Sequence, residues 1–104
     1  MILRRRRFSD VIARQLDLFE RDHAGLLRDC AAAEEAYDRA DRDEAEERYG
    51  DYLDLVDTGA ELLAGLRDGF AQTLAEDAAE EYELAFNRAV AKAFPRFAVA
   101  IGEA

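Results

Sequence analysis

Two runs of apolar and small residues, each repeating at alternating steps of three and four, constrain this chain more than any other feature. The first passes through Ile12, Leu16, Phe19, His23, Leu26, Cys30, Ala33 and Tyr37. The second passes through Tyr49, Tyr52, Val56, Gly59, Leu63, Leu66 and Phe70. A half-buried strand alternates every second residue, so neither run can be one. This spacing is the heptad period of a helix packed along its length against near-parallel neighbours. It predicts one helix from Asp10 to Asp38, with Ser9 as its N-cap, and a second running to Gly69.

The runs are separated by Asp38-Arg39-Ala40-Asp41-Arg42-Asp43-Glu44, polar except for one alanine. Asp41 and Glu44 have the capping-box spacing, which marks a turn and a restart. Thr58 and Glu61 share that spacing, but the apolar register crosses them unbroken, so the second helix is expected to continue. Gly59 costs about 1 kcal/mol against alanine in a helix interior and implies a close approach by another element. Gly65 and Gly69 form a weak small-residue pair, and Gly69 is expected near the helix end. A third capping box, Thr73 to Glu76, opens a shorter helix with Ala79, Tyr82, Phe86, Val90, Ala93 and Phe97 on its apolar face. Pro95 interrupts it near Phe94. The tail, Phe97 to Ile101, is apolar enough to dock on a core or a second subunit.

The expected fold is therefore all-α: an antiparallel helical bundle of two long helices and a third shorter one. Residues 1–8 form a basic arm and residues 9–104 a single helical domain. Helices of about 28 residues would be about 42 Å long, and a helix of about 20 residues cannot cover both seams. The surplus predicts a homodimer or other homo-oligomer joined through Tyr49, Tyr52, Val56, Leu63, Leu66 and Phe70.

Charge narrows the partners. The formal net charge is −10, and thirteen of the fourteen basic residues are arginine, Lys92 being the exception. With the alanine content, this usage points to a GC-rich bacterial genome. An acidic body excludes nonspecific nucleic-acid binding, and no apolar run is long enough for a membrane span. The cytoplasm is the expected compartment. The exception to the acidic balance is the arm, where Arg4, Arg5, Arg6 and Arg7 precede the first acid. Through it alone could the chain dock on nucleic acid, a membrane surface or an acidic protein partner.

Chemistry is sparse. His23, the single histidine, follows Glu20 by three residues. Carboxylate-bridged di-iron bundles take Glu-x-x-His from each of two helices and one further glutamate from each of two others. A dimer would double Glu20 and His23. The second helix, however, puts tyrosine, valine, glycine and leucine inward, with Asp54 and Glu61 nearly opposite and Glu46 and Asp57 at the stripe edge. The favoured role of His23 is a polar register-setting residue hydrogen-bonded within the bundle. Iron at Glu20 and His23 is the alternative, and otherwise no cofactor is expected. The aspartates after Tyr37 fail as a calcium loop, because Asp43 and Tyr49 stand where glycine and glutamate are needed. Cys30 lies two helical turns from His23 and reads as a small core residue. Glu80, Glu81 and Glu83 read as a solvated face, and no phosphate-binding glycine loop is present. The expected function is a non-enzymatic interaction or assembly module. A ferritin-like metal protein completed in an oligomer, or an adaptor docking through the arginine arm, are the alternatives.

Overall fold

The computed structural model describes residues 7–104, and all of its regular structure is helical. We number the helices α1 (Ser9–Asp22), α2 (Ala24–Asp38), α3 (Arg42–Ala71), α4 (Glu76–Ala93) and α5 (Ala98–Glu103), with a 3-10 turn, Pro95–Phe97, between the last two. No helix among the described residues is long and apolar enough to cross a membrane.

The first apolar run does not make one helix. At His23 the backbone leaves the helical region (φ −122°, ψ 31°), ending α1 and opening α2. The register survives because only one residue is out of line: the His23 N–H still donates to Phe19 O, and Leu27 N–H donates to His23 O. The break serves two different neighbours. α1 packs on α4, whereas α2 packs mainly on α3, and a straight rod could not follow both. Gly25, with its poor helix propensity, follows two residues later.

α3 is continuous through Gly59 over its 30 residues. Helix starts are placed by the sequence better than they are explained by it. Asp41 is the N-cap of α3 but makes no side-chain cap; its main-chain oxygen accepts from Glu44 N–H. Thr73 closes α3 instead of opening α4, its hydroxyl donating to Phe70 O at 2.7 Å. α4 begins at Glu76 after Ala75, and α1 begins at Ser9 itself, with Phe8 in the N-cap position.

Ring contacts fix the helix directions. Phe8 meets Tyr82 and Phe19 meets Phe94, so α1 and α4 run parallel. Phe70 stacks on Tyr82 while Gly59 lies under Phe97, so α3 is antiparallel to both. α5 then returns from the level of Gly59 to that of Arg67. The lower half of the molecule is thus a bundle of α1, α4, α5 and the C-terminal part of α3. Its centre is Phe19, Leu63, Tyr82, Phe86, Val90, Phe97 and Ile101, all almost fully buried. Phe8, assigned to the arm on sequence, is a core residue packed on Tyr82. The other half is a two-helix stem, α2 against the N-terminal part of α3, and the whole is elongated at 52 × 24 × 23 Å.

Gly59 meets the ring of Phe97: a Cβ there would fall 2.5 Å from one ring carbon and 2.6 Å from another. Phe97 is fully buried against Phe19 and Phe94 and cannot swing away. We therefore expect Gly59→Ala to destabilise the fold by about 1–3 kcal/mol despite its better helix propensity. Gly65→Ala, with no atom near the new methyl, should stabilise it by about 0.4–1 kcal/mol. Urea titration of both variants measures the two opposite signs.

Candidate functional site

The sequence-derived candidates do not converge on one place. Glu20 is exposed on α1, and His23 is half-buried at the helix break with its ring 5.2 Å from Phe19. The expected hydrogen bond from the His23 ring to a tyrosine or the backbone is not formed among the described residues; an aromatic contact takes its place. Nor do the described residues gather three or more His, Cys, Asp or Glu side chains around a possible metal position. The buried positions of α3 are Val56, Gly59, Ala60, Leu63, Ala64, Arg67 and Ala71, so that helix brings no carboxylate inward.

Of the interaction residues, Arg4, Arg5 and Arg6 lie outside the described residues. Arg7 sits at the lower end of the bundle, 4.0 Å from Glu81 and over the Phe8 ring. Val56 and Leu63 are closed inside the core of a single chain, which corrects their assignment to a subunit interface: α4 and the C-terminal elements already cover that part of the seam. Phe70 and Tyr52 are partly buried, Phe70 against Tyr82. Tyr49 and Leu66 remain exposed, joined by Tyr37, Leu53 and Leu62, which the seam did not single out as contact residues. Tyr37 and Tyr49 face each other across the stem at 5.1 Å.

Where stem meets bundle, the 3-10 turn sends Arg96 back onto α2. Its Nη2 donates to Glu34 Oε1 at 3.0 Å, and the guanidinium lies beside Cys30 and Tyr52. Cys30 is fully buried, and burial pushes its thiol above the ordinary 9.0, with Arg96 only partly opposing the rise. Such a thiol stays protonated and behaves as a small core residue with a polar neighbour. Burial also raises the Tyr52 hydroxyl, and that of Tyr82, which donates to Gln15 Oε1 at 2.8 Å. An open depression of about 640 Å³ lies over this junction, walled by Phe94, Pro95 and Leu27 with Glu20 and Glu34 at its edge.

Arg67 escaped the sequence reading. It is 6% exposed, yet every arm of its guanidinium is used: Nε donates to Asp68 Oδ1, Nη1 to Asn87 Oδ1 and to Ile101 O, and Nη2 to Ala104 O, all at 2.8–3.1 Å. It ties α3 to α4 and to α5. The signal was its position, since Ala60, Leu63, Ala64, Arg67 and Ala71 share one stripe and only an arginine with internal acceptors belongs there.

Between α1 and α4 runs a shallow apolar groove of about 680 Å³ floored by Ile12, Leu16, Ala85 and Ala89. Asp17 stands on one rim, Arg88 and Lys92 on the other. The groove is open because α4 presents alanines to α1.

Two outcomes follow from these surroundings. Arg67→Met should cost about 2–3 kcal/mol by stranding Asn87 and two main-chain oxygens, and Arg67→Lys should recover little because an ammonium cannot span them. Hydrogen exchange should localise the loss to residues 98–104. Separately, Cys30 and Tyr82 have folded-state pKa values above their ordinary 9.0 and 10.0, so the folded chain holds those protons longer than the unfolded one. The stability they contribute is complete below about pH 9 and is lost as pH rises through the folded-state values. Thermal midpoints should therefore fall above pH 9, Cys30→Ala should flatten the first part of that fall, and a thiol reagent should label Cys30 only on unfolding.

Comparison of this chain with protein-family models, with curated proteins and with solved structures finds no match to any of them.

Proposed function

We propose that this chain is a non-enzymatic helical interaction module that self-associates, with the stem as its principal contact surface. One observation carries the reading. α3 has 30 residues and is about 45 Å long, whereas α4 has 18 and is about 27 Å long. α4 stops level with Gly59, and the stem beyond it is two helices thick. Tyr37, Tyr49 and Leu53 stay 38–45% exposed there, in the place a third helix would occupy. Two helices alone bury one stripe each and leave their flanks wet, and covering such a flank at about 25 cal/mol per Å² favours association.

The ferritin-like alternative would need an inward carboxylate on α3 and a Glu20 turned toward His23's neighbours; the buried residues of α3 and the exposure of Glu20 favour neither. The groove between α1 and α4 and the depression under Arg96 are both open and shallow, which suits contact more than catalysis.

Equilibrium sedimentation at tens of micromolar should give a mass above that of one chain, and the thermal midpoint should rise with concentration. Tyr49→Ser combined with Leu53→Ser should shift the mass toward monomer, and through the lost Tyr37–Tyr49 contact should cost the monomer about 1–2 kcal/mol while leaving it folded by circular dichroism. Glu61→Lys should leave the association in place. A concentration-independent midpoint in a monomeric chain rejects the proposal.

A further inference from the structure

The unpartnered flank of the stem is not neutral. Residues 24–54 hold eleven carboxylates against four arginines, a net of −7 within a chain of −10. Bringing two stems together face to face would therefore set like charge against like across the very surface that has to be desolvated. The exposed rings of Tyr37 and Tyr49 and the side chain of Leu53 call for an occupant that is apolar and cationic at once. One segment of this chain has that composition, Met1-Ile2-Leu3-Arg4-Arg5-Arg6, which leads into Arg7.

That segment cannot reach the stem of its own molecule. Its point of departure is set by Phe8, buried against Tyr82, and by Arg7 beside Glu81, all at the lower end of the bundle. Phe70 stacks on the same Tyr82, and Tyr49 lies 21 residues before it on α3, about 32 Å along the axis. Fully extended, the chain carries Arg4 about 14 Å from Phe8 and Ile2 about 21 Å. A second copy lying antiparallel alongside brings its stem to this end and its own arm to the other stem.

Resting on the self-association reading above, we infer that Arg4, Arg5 and Arg6 of one copy dock, with Ile2 and Leu3, on the acidic flank of a second copy's stem. The exchange is reciprocal, so a two-fold axis closes the assembly as a dimer instead of letting it grow. Tyr49, Tyr37 and Leu53 supply the apolar contact, guanidinium stacking on the tyrosine rings adds to it, and Asp38 and Glu46 supply countercharge.

Charge exchange in the full-length chain tests this. Arg4→Glu/Arg5→Glu/Arg6→Glu should raise the dimer dissociation constant at least about tenfold at 50 mM NaCl, and so should Asp38→Arg/Glu46→Arg. The two sets combined should return it to within about threefold of the parent, because attraction is restored with its sign reversed. The parent's own constant should weaken about tenfold between 50 and 500 mM NaCl. Circular dichroism at each step checks that all variants stay folded, as substitutions on exposed stem positions and outside the core should. A parent chain that sediments as a monomer at tens of micromolar defeats the self-association reading and this one together. A parent dimer indifferent to both charge sets leaves self-association standing and overturns the arm exchange, as does a dimer that both sets weaken but their combination does not rescue.

Discussion

The contact between the Phe97 ring and the backbone of α3 at Gly59 is the hinge on which the architecture turns. Pro95 cannot continue α4, so the chain tightens into a single 3-10 turn and delivers Phe97 sideways into a helix that has no Cβ to meet it. Phe19 packs edge-on against it and Phe94 meets it at a tilt. That knot stops α4 partway along α3, and in doing so it divides the molecule into a bundle with four helical walls and a stem with two. Had α4 continued, one face of the stem would be covered and the apolar flank at Tyr49 and Leu53 would be core.

Two arginines finish what Phe97 begins, in opposite directions. Arg67, rooted in α3, grips the returning segment by the carbonyls of Ile101 and Ala104, so that a helix of six residues, too short to hold itself, is fixed in place. Arg96, leaving the 3-10 turn, reaches up to Glu34 and neighbours Cys30 and Tyr52 on the stem. The first closes the bundle. The second joins the bundle to the base of the stem and gives the buried thiol a polar neighbour without making it reactive.

Both parts of the described chain are acidic: residues 24–54 carry a net −7, and the remainder, with thirteen carboxylates against seven basic residues, carries −6. The exposed rings Tyr37 and Tyr49 belong to the slightly more acidic part.

The helical class, the uninterrupted course of α3 through Gly59, the turn near Asp41, the stop near Pro95 and the docking of the apolar tail were all legible in the residues, because each rests on local periodicity or on the stereochemistry of single residues. The break at His23 was not legible: a one-residue bend preserves a heptad register, and only the different neighbours of α1 and α2 require it. Thr73 shows the same limit in reverse, since its hydroxyl had two helices to serve and the end of α3 won. Seam position identified residues that are apolar by need but not which of them a single chain would cover. Val56 and Leu63 went inside and Tyr49 and Leu66 stayed out: Tyr49 lies beyond the end of α4, and Leu66, though alongside α4, lies off the buried stripe of Leu63, Ala64 and Arg67. Arg67 is the clearest case: its place in a stripe of Ala60, Leu63 and Ala71 is a fact of sequence, but the carbonyls that make a buried guanidinium tolerable come from residues 34 and 37 positions away, brought there only by the fold.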